Sequence, residues 1–414
     1  MSRILLTGNA AAAWGVRLSS VDYISAFPIT PQTEIIETLS GWIGSGDIRG
    51  CRMTMMESEH SMVTAAGAAA VTGARVFTAT SSQGLLYAME MIYAVSGWRV
   101  PLVMVNVSRG LATPITLEPD HNDILAARDS GFLQIHCSSC QEVLDSIIIA
   151  YRLAEDRRVR LPVIVNMDGF YLSFTREPVE LPDQGRVESF LKPFDPENIR
   201  FIAGQPMSEP VAVLGGSAYS YFRYETYLAA MNALEVYDGI SAAFAEEFGR
   251  MHDAIEAYRA DDAEIVFFMI GSFAAKAKDA VDRLREAGRK VGLLRLRLVR
   301  PFPEEKIRRL LEGKKGVAVV DQNISMGKGG ILYMELSSAL YGRSGQPLIT
   351  SYIGGLGGRD ITPEEFFEME AETRSAAEKC IAPLPRLLYT ETELLEIRKL
   401  QAIALGERRG TGNG

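Results

Sequence analysis

Short apolar runs alternate with longer helical patterns along this chain, and that rhythm limits its fold more than any other feature. The runs DYISAF, ARVFTATS, PLVMVNVS, LPVIVNMD, EPVAVLG, EIVFFMIG, VGLLRLR and GVAVVDQ are rich in Val, Ile, Leu and Phe. Most lack strict apolar–polar alternation, as parallel strands covered on both faces do. Between them lie helical patterns such as Thr33–Trp42, His60–Thr72, Gln141–Asp156 and Ala274–Ala287. Strand–helix alternation of this kind predicts an α/β fold with parallel sheets.

Two interruptions organise the chain. The segment LPDQGRVESFLKPFDPEN, Leu181 to Asn198, carries prolines and charges and reads as a long surface connection. The charged stretch YRADDA, Tyr258 to Ala263, precedes a fresh strand–helix–strand unit that begins at Glu264, so a domain boundary is expected near residue 260. The second domain, at about 130 residues, is ample for a small doubly wound sheet. The tail GERRGTGNG is expected to be disordered.

Composition narrows the function classes. A chain of 414 residues that is 47% apolar can hold two or three cores. Its net charge of −9 and the lack of a long basic run argue against nucleic-acid binding. The N-terminal MSRILLTGNAAAAWG makes a poor signal peptide, and no apolar run approaches the length of a membrane span. Cys51, Cys137, Cys140 and Cys380 are too few for a disulfide framework, which points to a reducing cytoplasm.

Chemistry gathers in three loops, each directly after a strand pattern. In AFPITPQTEI, Thr30 stands immediately before Pro31, which disfavours helical backbone at Thr30. A rigid hydroxyl there can cap the following helix or hold a substrate. In MMESEHSMVTAAGAAAVTG, Glu57 and Glu59 open a helix of small residues. They either complement the helix dipole or serve a flat ligand that the small residues let approach. TATSSQGL offers hydroxyls, an amide and backbone N–H groups at the end of a strand, where open α/β sheets bind ligands. Arg109, in VNVSRGLATP, is either a surface cation or a two-pronged carboxylate binder. Other signals are weaker. Cys137-Ser-Ser-Cys140 has no second pair nearby, the four histidines lack metal-ligand spacing, and GGLGGRD does not fit a dinucleotide fingerprint.

Taken together the loops are specific. FPITPQTEI resembles the Tyr-Pro-Ile-Thr-Pro motif of the 2-oxoacid:ferredoxin oxidoreductases. ESEHSMVTAAGAAAVTGARVFTATSSQGL resembles that family's glutamate helix and the turn after it, and VMVNVSRGLATP resembles its arginine loop. RDSGFLQIHCSSCQEVLDSIIIAYRLAED and LPVIVNMDGFYLSFTREPVELPD extend the likeness. Within the family the chain is similar to α subunits of pyruvate:ferredoxin oxidoreductase (pyruvate synthase), from about residue 5 to about residue 385.

The resemblance implies a thiamin-diphosphate-binding, pyrimidine-type parallel-sheet domain at 1–245. A transketolase C-terminal-like α/β domain would follow at 260–385, then a C-terminal helix and flexible tail at 386–414. By motif position Glu59 matches the glutamate that hydrogen-bonds N1′ of the aminopyrimidine. Thr30 and Arg109 match the substrate-binding threonine and arginine, and Ser82, Gln83 and Gly84 the cofactor-side turn. The implied reaction is CoA-dependent oxidative decarboxylation of a 2-oxoacid, pyruvate first, with electrons passed to ferredoxin. A carboxylate at N1′ suits that chemistry because it promotes the proton relay through which the cofactor is activated.

The sequence supplies only half of such a site. Asp168-Gly169 with Asn198 imitates a diphosphate–Mg²⁺ motif but lacks its first glycine, and reads as a decoy. Iron–sulfur ligand sets are missing too. The resemblance therefore implies a β subunit that brings the diphosphate and Mg²⁺ site and an iron–sulfur cluster, with γ and ferredoxin-like δ subunits beside it. Phe27 replaces the family's usual Tyr, and LATPITLEPDHND departs from the commoner loop. A branched or aromatic 2-oxoacid thus stays open. So do a non-catalytic scaffold and half of a non-oxidative thiamin enzyme.

Overall fold

The computed structural model describes residues 2–196, 201–206 and 212–410. In chain order the first strands are β1 (Ser2–Thr7), β2 (Tyr23–Ala26), β3 (Arg52–Met55), β4 (Val76–Thr80), β5 (Val103–Ser108), β6 (Leu133–His136), β7 (Val163–Asp168) and β8 (Arg176–Leu181). There follow β9 (Ile255–Tyr258), β10 (Ile265–Met269), β11 (Val291–Leu296), β12 (Leu298–Arg300), β13 (Gly316–Asp321), β14 (Leu348–Ile353) and β15 (Arg386–Leu387). One sheet has the order β12-β6-β7-β5-β4-β2-β3 and a second β15-β14-β13-β10-β11-β9, while β1 and β8 form an antiparallel ribbon. Within the two large sheets only β12–β6 and β11–β9 are antiparallel pairs among the described residues.

The apolar runs become strands because both faces are covered. Every residue of β4, β5 and β7 is buried, and so is every residue of β10, β11 and β13. Burial on both faces removes the pressure for alternation. Helices Gly8–Leu18 and Cys140–Glu155 pack together over one face of the first sheet. Helix Glu59–Val71 packs against helix Met89–Gly97. The small residues serve that contact: a Cβ on Gly67 would lie 2.5 Å from Val95 Cγ2 and 2.9 Å from Trp98 Cζ3.

β12 is donated to the first sheet by the second half of the chain, with Leu298 opposite Ile135 of β6. Just before it Arg295, fully buried, donates to Glu142 Oε1 at 2.5 Å and Glu256 Oε2 at 2.6 Å. Arg297 reaches the same Glu142 oxygen at 2.8 Å. Burial opposes ionisation of Glu142, but the two guanidiniums outweigh it and hold its pKa far below the ordinary carboxylate range.

Several expectations are corrected. Leu181–Asn198 is not a plain surface connection, because a helix at Gln184–Leu191 buries Val187, Phe190 and Leu191 against the core. Asp183 caps it, accepting from Gly185 N at 3.0 Å, so the Pro and Asp that suggested a loop mark a helix start. Asn198 lies outside the described residues. The strand expected at EPVAVLG is not formed over its described part, 212–215, which leads into a helix at Gly216–Phe248. The second sheet opens at Ile255, upstream of YRADDA, because β9 pairs with β11. A helix at Glu391–Gly410 reaches into the tail expected to be disordered.

Candidate active site

The residues singled out in the loops stand at the carboxyl edge of the first sheet, because parallel strands deliver their following loops to one side. β5 and β7 end level, with Ser108 opposite Asp168, so Arg109 and Gly169 leave the sheet side by side. β2 and β3 also end level, with Ala26 opposite Met55, and lead to Thr30 and Glu59.

Glu59 is the first residue of its helix. Ser58 caps the helix, accepting from Ser61 N at 3.2 Å, which turns Glu59 inward. Glu59 is 6% exposed, whereas Glu57 is exposed to solvent. The Glu59 carboxylate lies against Gly84: a Cβ there would come within 2.5 Å of Glu59 Oε1 and within 2.5 Å of Thr80 Oγ1. The Thr80 hydroxyl is buried and has no hydrogen-bond partner among the described residues.

The turn after β4 is strained and tied down. Ser82 has φ 48° and ψ −115°, a conformation that costs on the order of 1–3 kcal/mol for a residue with a side chain. Asp123 holds it by accepting Ser82 N–H at 3.1 Å. Ser82 Oγ lies 2.8 Å from Gln83 Oε1 and 3.1 Å from the Gly110 carbonyl oxygen. Arg109 Nη2 donates to Gln83 Oε1 at 3.2 Å. Arg109 is 6% exposed, and its Nε and the Gln83 Nε2 are buried without acceptors among the described residues. Burial lowers the Arg109 pKa from its ordinary value, with Asp123 opposing.

Thr30 stands apart. It is exposed and makes no hydrogen bond to Glu59, Gln83 or Arg109. It is not the helix cap: the helix Thr33–Ser45 starts after Gln32, which makes no side-chain capping bond. Gln32 Nε2 instead donates to the Phe27 carbonyl at 2.8 Å and closes the loop on itself. Asn9 Nδ2 holds the Pro31 carbonyl at 2.9 Å, and Pro31 packs beside Gly169. The structure thus joins Glu59 to Gly84 and Gln83 to Arg109, and fixes the loop of Thr30 on the same edge without joining it to them.

Sequence reasoning missed a buried polar network beneath this edge. Asp123 accepts from Asn106 Nδ2 at 3.0 Å and lies 2.9 Å from Ser108 Oγ. Asp168 lies 2.6 Å from His121 Nε2 and accepts from Ser272 N at 2.8 Å. Ser272 belongs to the second half of the chain, so Asp168 fastens the halves together. The readable signal was a polar residue ending each apolar run: Asn106 and Ser108 in VNVS, Asp168 in VNMD.

These residues fit one end of a thiamin cofactor. A buried carboxylate, an orphaned hydroxyl and a glycine whose Cβ would fill the space between them suit a flat heterocycle. Nothing described here suits the diphosphate end. No cluster of three or more His, Cys, Asp or Glu side chains able to hold a metal occurs among the described residues. Asp168 is fully buried with its oxygens engaged. Cys137 and Cys140 are buried, and burial pushes the Cys137 thiol up to about 12, with Glu142 adding to it. Among the described residues no helix is long and apolar enough to cross a membrane.

Comparison with known proteins identifies the family. Residues 15–245 match the thiamine-diphosphate-binding family of pyruvate flavodoxin/ferredoxin oxidoreductases, and residues 263–366 match pyruvate:ferredoxin oxidoreductase core domain II. Pyruvate synthase subunit PorA of Pyrococcus abyssi is 40% identical over 377 residues, which is 91% of this chain and 95% of that protein. PorA of Thermotoga maritima is 41% identical over 370 residues, covering 88% and 92%. Ketoisovalerate oxidoreductase subunit VorA of Pyrococcus horikoshii is 39% identical over 379 residues, covering 90% and 94%. A solved 2-oxoglutarate:ferredoxin oxidoreductase from Magnetococcus marinus shares the fold at TM-score 0.69 and 21% identity, over 90% of this chain and 65% of that longer one. The chain belongs to the 2-oxoacid:ferredoxin oxidoreductases, as an α subunit of the PorA type in a multi-subunit, thiamin-diphosphate-dependent enzyme.

Proposed function

We propose that this chain supplies the aminopyrimidine end and the 2-oxoacid pocket of an enzyme that converts pyruvate and coenzyme A to acetyl-CoA and carbon dioxide, passing the electrons to ferredoxin. The observation that carries the reading is the Glu59 carboxylate, buried at a helix start against Gly84 and Thr80. Bound thiamin diphosphate would supply the nucleophilic carbon and the electron sink that decarboxylation needs. Glu59 would hold N1′ of its aminopyrimidine and share the proton there. The turn of Ser82, Gln83 and Gly84 would border the cofactor. Arg109 would hold the substrate carboxylate, its attraction strengthened by burial, and Thr30 would steady the carboxylate or the 2-oxo oxygen.

The remaining chemistry belongs to partners. A β subunit would bring the diphosphate and Mg²⁺ site and an iron–sulfur cluster, and γ and ferredoxin-like δ subunits would carry electrons onward. The working units of this chain would be 1–245, 260–385 and the terminal helix beyond, in the cytoplasm. The 39% identity to a ketoisovalerate oxidoreductase subunit supports a second substrate reading, a branched 2-oxoacid, and the departures at Phe27 and Leu111–Asp123 lie where such a change would act.

The test is viologen reduction by the complex purified anaerobically from its native host, against a panel of 2-oxoacids with and without coenzyme A. CoA-dependent reduction with pyruvate is expected. Preference for 2-oxoisovalerate would move the substrate and keep the reaction. A complex without iron–sulfur clusters or thiamin would overturn the reading.

A further inference from the structure

Gln83 is held in a way that a cofactor turn alone does not require. Its Oε1 accepts from Arg109 Nη2 at 3.2 Å and lies 2.8 Å from Ser82 Oγ. With that oxygen engaged, the orientation of the amide is set, and Nε2 has to face the other way. Among the described residues Nε2 is buried with no acceptor, and so is Nε of Arg109, whose Nη2 bonds the Gln83 oxygen. Burying an amide N–H and a guanidinium N–H unpaired is unfavourable, and folded chains rarely leave two such donors on adjoining side chains. A partner that satisfies both carries at least two acceptor oxygens. One donor belongs to a guanidinium whose desolvation outweighs the pull of Asp123, which favours an anionic group in that partner.

A 2-oxoacid has this chemistry, with a carboxylate and a neutral 2-oxo oxygen on adjacent carbons. We propose that Gln83 is a substrate-orienting residue, its Nε2 donating to the 2-oxo oxygen while Arg109 takes the carboxylate. The assignment rests on the functional reading above and deepens it. It separates Gln83 from its neighbours in the turn: Gly84 serves Glu59 by having no side chain, whereas the Gln83 side chain leaves the turn for Arg109.

The test uses the assembled complex with Gln83→Leu. Two quantities are measured: the KM for pyruvate, and the inhibition constant of propanoate, which has the carboxylate but no 2-oxo oxygen. The expected result is a pyruvate KM raised about tenfold, the worth of one hydrogen bond to a polar ligand, with the propanoate constant unchanged within about twofold. If both constants rise in parallel, Gln83 acts only by holding Arg109 and the proposal is overturned. It is equally overturned if neither changes. Gln83→Asn, which keeps a shorter amide, should recover part of the loss, and thiamin retention after gel filtration should match the parent in both variants. A parent complex that turns over no 2-oxoacid would bring down the functional reading itself, an outcome distinct from any of these.

Discussion

At the scale of single residues, the most consequential contact is between a carboxylate and a missing methyl group. Gly84→Ala would place its Cβ within 2.5 Å of both Glu59 Oε1 and Thr80 Oγ1, so one of them must move. A displacement of about 1 Å at a catalytic group can cost roughly 100-fold in rate. We expect kcat of the complex to fall by about that factor with the subunits still assembled, as viologen reduction and gel filtration would show. Glu59→Gln should go further and nearly abolish turnover while leaving assembly intact; a variant that keeps its full rate would refute the assignment. Glu59 could be chosen over Glu57 only through the resemblance, and the same choice appears in space as burial against exposure. Thr30 was harder. A Thr before Pro is a sensible helix cap, but its chain turns again at Gln32 before the helix begins, and no local propensity reports that extra turn.

At the scale of elements, strands sealed on both faces could be read and strands at seams could not. β5 and β7 open on apolar runs, Val103–Val105 and Val163–Val165, and they pair through six residues. β6 is Leu-Gln-Ile-His, and its polar members are accommodated by particular partners, Gln134 Nε2 donating to the Ile124 carbonyl at 3.0 Å. Its alternation reads as a half-buried strand, whereas all four residues are buried, because partners outside the run satisfy the polar ones. Helix Glu59–Val71 illustrates the opposite case, where composition states the packing. Gly67→Ala would push a Cβ into Val95 and Trp98. Overpacking of this sort costs about 1–3 kcal/mol, and the unfolding midpoint of the complex should drop accordingly. Helix Cys140–Glu155 carries Glu142 between two buried guanidiniums. Glu142→Gln would leave Arg297 without its carboxylate and Arg295 with Glu256 alone, at up to about 3–5 kcal/mol, so chemical denaturation should show a larger loss than for Gly67→Ala.

At the scale of the whole molecule, the two sheets are joined by buried groups that respond to pH. Burial favours the neutral form of Asp168, but His121 and Ser272 outweigh it and lower its pKa. Burial likewise opposes charge on His121, and Asp168, with Asp120 and Asp123, raises its pKa nevertheless. A lowered carboxylate adds stability above its unfolded pKa of about 3.9, and that stability is lost as pH falls through the folded value. A raised histidine adds stability below about 6.5, lost as pH rises through its folded value. The pair therefore contributes most between about pH 4 and 6.5. Asp168→Asn should lower the unfolding midpoint inside that window and flatten its fall on either side, below about pH 4 and above about pH 6.5, and an unchanged profile would show that the pair is not what joins the halves.

β12 sets an order of events in time as well as in space. Its three residues close the edge of the first sheet beside β6, yet they lie at 298–300, well past the helix that ends at Phe248. While the chain is being made, the N-terminal sheet therefore waits with β6 unpaired on one side until the ribosome has moved some fifty residues further, several seconds at about 5–20 residues per second. An open strand edge is an invitation to another chain. A fragment cut at the apparent domain boundary would keep that invitation open permanently, and the residues that look like the start of an independent second unit are also the last piece of the first.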